Sequence, residues 1–174
     1  MIIAAFDVHY PEDGRASAAA VLFHDYRDPG PAAEYTLSLP SAADYIPGQF
    51  YRRELPCILA LIEQFEENPH EMVVDGYVRL GDRPGLGWHL FEFFQGKIPV
   101  IGVAKSPFIH SGAIPVLRGR SRKPLYVTSA GVDTVTASKR ILAMHGPHRV
   151  PSLLKRVDLL GRGKACDPRS CSSG

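Results

Sequence analysis

Three acidic residues and one lysine stand at positions where a folded chain could use them together. Asp7 closes the apolar run Ile2-Ile3-Ala4-Ala5-Phe6, and Asp75 closes Met72-Val73-Val74. An apolar run of this length reads as a buried strand, so each aspartate is expected at the rim of a sheet. A carboxylate there is costly to desolvate unless it is paired, hydrogen-bonded or metal-bound. On adjacent strands the two groups lie roughly 5 Å apart, and each raises the other's pKa unless a cation sits between them. Magnesium suits such a pair, because it takes one or two carboxylates and completes its shell with water and substrate phosphate. Glu54, just ahead of an amphipathic stretch, completes a candidate metal set of Asp7, Glu54 and Asp75. Lys105 ends the run Ile98 to Ala104 and is expected at the same rim, where an ammonium can hold a phosphate or orient a water. Each residue alone also has a plainer reading: Asp7 as the cap of a turn, Asp75-Gly76 as the start of one, Lys105 as a solvated lysine.

The surrounding pattern must supply the sheet. Ile2–Val8, Ala16–His24 and Ala33–Leu39 read as three strands joined by turn chemistry at Pro11-Glu12-Asp13-Gly14 and Arg27-Asp28-Pro29-Gly30, hence an antiparallel meander. From Leu55 the period changes, with Leu55, Ile58, Leu59, Ile62 and Phe65 at helical spacing. Pro56 places the start of the regular helix there, with Glu54 at or just before it. A strand at Met72–Gly76, a helix at Leu86–Phe94 and a strand at Lys97–Ala104 follow, an alternation that requires parallel neighbours. Leu125–Thr128 is expected as an edge strand and Val135–Met144 as a third helix, before an amphipathic segment ending near Leu160. Together these predict an α/β, ribonuclease H-like fold: a mixed sheet of five or slightly more strands in the order 3-2-1-4-5, flanked by helices.

The chain has 174 residues, 45% hydrophobic and 22% charged, which fits a single folded domain over residues 1–161 with a flexible tail over 162–174. Its longest apolar run is far short of a membrane span, and the first residues lack a basic region ahead of the apolar ones, so no membrane association and a cytoplasmic protein are expected. A formal charge of +2 is too small to diagnose a polyanion partner, but Arg118, Arg120, Arg122 and Lys123 cluster, and the C-terminal half is the basic half. That cluster reads either as a solvated loop or as a nucleic-acid contact. Cys57 in a helical stretch and Cys166 and Cys171 in a Gly/Ser-rich tail give no disulfide framework.

Several motifs resemble the endonuclease V family in order and spacing: Phe6-Asp7-Val8-His9-Tyr10, Tyr45-Ile46-Pro47-Gly48 ahead of Arg53-Glu54, Asp75-Gly76, Gly85-Leu86-Gly87-Trp88-His89-Leu90, and Ile98 through Lys105-Ser106. The resemblance implies a monomeric, Mg²⁺- or Mn²⁺-dependent endonuclease that cuts DNA or RNA near inosine. It makes Asp7, Glu54 and Asp75 the metal ligands and Lys105 the lysine at the scissile phosphate. Tyr45 becomes a wedge stiffened by Ile46, Pro47 and Gly48, filling the gap left by an extruded base. Gly85, Leu86, Gly87 and Ser106 become substrate contacts around the base pocket. It also makes Asp133 a fourth ligand or water-orienting group, though an N-cap fits that aspartate equally. The segment Tyr77 to Pro84 departs from the family's His-Gly and His-Pro-Arg pattern. Two alternatives therefore stand beside the inosine reading: a nucleic-acid-binding homologue without turnover, and a structure-specific nuclease without inosine preference.

Overall fold

The computed structural model describes residues 1–40 and 51–164. Strand β1 (Ile3–His9), β2 (Arg15–Phe23) and β3 (Ala33–Pro40) form the expected antiparallel meander, with Asp7 opposite Ala19 and Ala20 opposite Tyr35. The turn chemistry and the period-two burial account for both register and faces. In β1, Ile3 and Ala5 pack to one side and Ala4 and Phe6 to the other. In the edge strand β3, Tyr35, Leu37 and Leu39 face inward while Glu34, Thr36 and Ser38 face water.

Helix α1 (Tyr51–Ile62) leads to β4 (Glu71–Asp75). A two-strand hairpin of β5 (Arg79–Leu80) and β6 (Arg83–Pro84) precedes α2 (Leu86–Phe93) and β7 (Val100–Ala104). Then come β8 (Ile114–Val116), β9 (Leu125–Ala130), α3 (Thr134–Ala143) and α4 (Ser152–Gly161). The sheet order is β3-β2-β1-β4-β7-β9-β8, parallel only at β1–β4 and β4–β7. Its first five members have the predicted order. Helices α1 and α2 bury Cys57, Ile58, Leu61 and Leu90 on one face; α3 and α4 bury Ala137, Ile141, Leu153 and Val157 on the other. Among the described residues no helix is long and apolar enough to cross a membrane.

Two expectations change. The strand at Leu125 is not the edge, because β8 lies outside it; a three-residue strand containing Pro115 is too short to read from its pattern, and proline is tolerated at an edge. Helix α1 already includes Tyr51, so Glu54 sits in its first turn and Pro56 lies inside. The bond that Pro56 forfeits is to the carbonyl of the exposed Arg52, one turn back.

Candidate active site

Strands β1 and β4 run parallel, with Phe6 paired to Val74 as the last matched residues. One step further on, where β1 and β4 part, Asp7 and Asp75 stand side by side, in the phase of Ala5 and Val73 and so on the α3/α4 face. Glu54 approaches from the opposite face on α1. All three line one cleft of about 400 Å³, walled by Tyr51, Tyr77, Leu80, Pro84, Gly85 and Leu86 among others. Helix α4 packs across β1 and β2 and brings a fourth carboxylate, Asp158, to the same rim. Asp158 shares a hollow of about 30 Å³ with Asp7, Asp75 and Lys105, backed by Val150, Leu154 and Val157.

The charges there are unbalanced. Burial pushes the Asp7 carboxyl up to about 6, with help from the negative charges of Asp75 and Asp158 and opposition from Lys105 and Arg162. Burial likewise raises Glu54 to about 7, reinforced by Asp75 and Asp7 and countered by Arg53. Lys105 Nζ donates to Asp75 Oδ2 at 2.7 Å. Burial alone would lower this amine, but that bond and the charges of Asp75, Asp158 and Asp7 hold it above its ordinary value. Arg162 Nε donates to Asp158 Oδ1 at 3.1 Å. Among the described residues no three His, Cys, Asp or Glu side chains converge tightly enough to ligate one ion as they stand. Glu54 comes from the other face of the sheet, and Lys105 takes one oxygen of Asp75. The oxygen-only donor set and its uncompensated charge suit a hard divalent cation.

The loops around the cleft are fitted closely. The segment after Asp75 crosses over Gly102, where a Cβ would stand 2.6 Å from the Gly76 carbonyl, 2.8 Å from Val78 N and 2.9 Å from Thr128 Oγ1. Val78 N donates to that Thr128 hydroxyl at 2.9 Å and Gly76 N to the Val103 carbonyl at 3.0 Å. Tyr77 OH donates to the Ser106 carbonyl at 2.6 Å, tying the exit of β4 to the exit of β7. At the cleft wall, Tyr51 stacks on His89 with ring centroids 3.7 Å apart, and Arg79 lies over Trp88 at 3.6 Å.

The expected residues therefore divide. Asp7, Glu54, Asp75, Gly85 and Leu86 line the cleft, and Lys105 binds Asp75. Gly87 does not line it: this glycine is buried, and a Cβ there would meet Val78 at 2.8 Å, so its smallness serves packing. Ser106 is exposed and meets Tyr77 through its carbonyl. Asp133 stands apart as the N-cap of α3, accepting from Thr136 N at 2.9 Å and Thr136 Oγ1 at 3.1 Å, bonds that hold its carboxyl below the usual range. A helix start offers unpaired N–H groups to such an aspartate, so capping needs no further partner. Tyr45, Ile46, Pro47 and Gly48, and the tail cysteines Cys166 and Cys171, lie outside the described residues. The residue sequence reading missed is Asp158. Its signal was a carboxylate one turn after Leu154 and next to Val157, on the apolar side of an amphipathic helix.

A ribonuclease H-like sheet whose parallel strands deliver carboxylates to one rim defines a nuclease of that fold class. The family model for endonuclease V matches residues 1–141, and the chain belongs to the endonuclease V family. It is 30% identical to endonuclease V of Trichormus variabilis, over 93% of this chain and 82% of that one. The crystal structure of endonuclease V from Streptomyces avermitilis superposes with a TM-score of 0.76 at 29% identity, covering 94% of this chain and 80% of that chain. Endonuclease V of Ciona intestinalis, solved in complex with DNA containing an inosine followed by a ribo-adenosine, shares the fold with a TM-score of 0.78 at 19% identity, over 93% and 84% of the two chains.

Proposed function

We propose that this nuclease is a divalent-cation-dependent endonuclease that hydrolyses a phosphodiester of DNA or RNA close to a deaminated base, inosine. It would act as a cytoplasmic monomer in nucleic-acid repair or RNA turnover. The observation that carries the reading is the gathering of carboxylates at one rim, Asp7 and Asp75 meeting Glu54 in the cleft and Asp158 with Lys105 in the adjoining hollow, with Asp7 and Glu54 held far above ordinary carboxylate values. Burial raises both groups most and mutual repulsion adds to it, and a bound cation offsets both effects by favouring the charged form. Asp7, Glu54 and Asp75 would hold magnesium or manganese, which supplies Lewis acidity toward phosphate oxygens when bound. Lys105 stabilises negative charge on the phosphate, its ammonium secured against the effect of burial by the bond to Asp75 and the charges of Asp75, Asp158 and Asp7. The cleft walls formed by Tyr77, Leu80, Pro84 and Leu86 give an extruded base an apolar seat, and Gly85 lets main chain approach its edge.

A cleavage panel tests this: inosine, uracil, abasic and undamaged strands of DNA and RNA, each with Mg²⁺, Mn²⁺ or EDTA. Cutting near inosine that requires a divalent ion is the expected result. Retention of the inosine strand without any cutting would replace the reading with that of a binding homologue. Equal cutting of every strand would remove the inosine preference, the outcome toward which the altered hairpin β5–β6 points.

A further inference from the structure

From Phe93 to Val132 the chain contains no aspartate or glutamate, yet it carries Lys97, Lys105, Arg118, Arg120, Arg122 and Lys123. The structure sorts the basic residues of the C-terminal half into three kinds. Arg140, Arg156 and Arg162 are paired with Glu71, Glu34 and Asp158. Arg118 is only 5% exposed, and its guanidinium donates to the carbonyls of Met144, Gly146, His148 and Arg149. Arg120, Arg122 and Lys123 are exposed, and among the described residues no carboxylate pairs with them.

Topology puts these three beside the catalytic rim. Strand β9 runs antiparallel to β7 with Tyr126 opposite Ala104, so Leu125 stands next to Lys105 and the β8–β9 connection leaves the sheet where the carboxylates do. Arg149 fixes the distance between them, because its Nη2 donates both to the Lys105 carbonyl and, at 2.8 Å, to the Pro124 carbonyl. The connection is also braced from below. Gly119, at φ +60°, lies so near the Pro147 carbonyl that a Cβ would approach it to 2.2 Å. Ser121 Oγ accepts from Lys123 N at 3.1 Å and donates to the Lys123 carbonyl at 3.2 Å. Cations on a pinned base lose less freedom when they bind than cations on a loose loop.

We propose that the β8–β9 connection is a phosphate-gripping arm, in which Arg120, Arg122 and Lys123 hold the sugar–phosphate backbone flanking the bond cut at the rim. The proposal rests on the endonuclease reading for its partner. Lys105 engages one phosphate, and the neighbouring phosphates of the same strand are then delivered covalently to the arm. The chemistry is that of the phosphodiester, common to DNA and RNA.

The test is fluorescence anisotropy with a labelled single strand of undamaged DNA and its RNA counterpart, in EDTA, over about 50 to 300 mM NaCl. The proteins compared are the wild type, the triple variant Arg120→Ser/Arg122→Ser/Lys123→Ser, the charge reversal Arg122→Glu, and Lys97→Ser at the far end of β7 as a control. Each phosphate contact on a single strand contributes about 0.7 to the slope of log K against log salt, so the triple variant should lower the slope by about 2 and weaken binding roughly 100-fold at the lowest salt. Arg122→Glu should weaken both strands, while Lys97→Ser should match the wild type. A triple variant that melts like the wild type and binds within twofold of it, with an unchanged slope, overturns the arm. Loss confined to one of the two nucleic acids overturns the phosphate chemistry in favour of sugar or base recognition. Because binding is read without a divalent ion, a chain that fails to cut inosine strands still gives an answer on the arm.

Discussion

The carboxylate rim makes the metal-free protein weaker as pH rises through the range where most proteins gain stability. Asp7 is raised from 3.8 to about 6 and Glu54 from 4.5 to about 7. Folded carboxyls with raised pKa values keep protons that the unfolded chain has already released. Their contribution is therefore intact below about pH 4, and it declines until the folded groups have ionised, above about pH 7. At about 1.4 kcal/mol per unit the two shifts would amount to roughly 3 kcal/mol each. Burial is the larger cause of both shifts, the smaller mutual repulsion is counted in each, and the cleft is open to water, so about 3 kcal/mol for the pair is the magnitude to expect. In a domain of this size that is a fall of roughly 6 to 12 °C in melting temperature. Thermal unfolding in EDTA from about pH 4 to about pH 7.5, for the wild type and for Asp7→Asn/Glu54→Gln, isolates these groups from the rest. The wild type should lose stability relative to the neutral variant as pH rises, and saturating magnesium at neutral pH should restore it in the wild type alone. Parallel pH curves for the two proteins, or a magnesium effect of equal size in both, would refute the charge argument.

Three other outcomes follow from the packing. Gly102→Ala should cost about 1 to 3 kcal/mol in a urea titration, and it should slow cleavage because the segment carrying Asp75 must move away from the new methyl. Asp133→Ala should cost about 1 kcal/mol by the same titration through loss of the α3 cap, with the cleavage rate unchanged. Arg118→Met should lower stability by about 2 to 4 kcal/mol, since four main-chain carbonyls lose one buried charged donor; a midpoint equal to that of the wild type would show that water replaces it at no cost.

The rim was legible where a local pattern and a topological rule acted together. Apolar runs closing on Asp7 and Asp75, separated by a helix, could be arranged in few ways, and the parallel β1–β4 pair put the two side by side. Glu54 was found but misplaced relative to its helix, because the polar stretch Tyr51-Arg52-Arg53-Glu54 carries no apolar period and Pro56 looked like a start. A fourth carboxylate was expected at Asp133, which caps α3, the other reading its sequence allowed; the further carboxylate at the rim is Asp158. Nothing local separates a capping aspartate from one at the rim; what distinguishes them is that α4 crosses β1, a long-range fact. The same holds for the basic cluster. Arg118 and Arg120 differ by two positions, yet one is buried under a loop from beyond α3 and the other faces water.

The position of Asp158 has a consequence for biosynthesis. A nascent chain that has emerged only through β9 already possesses Asp7, Glu54, Asp75 and Lys105, but the helix that closes the rim over β1 and β2 is still unmade. Completion of the four-carboxylate rim thus waits on a late segment of the chain, and the hollow shared by Asp7, Asp75 and Lys105 has no Asp158 wall until α4 has been made.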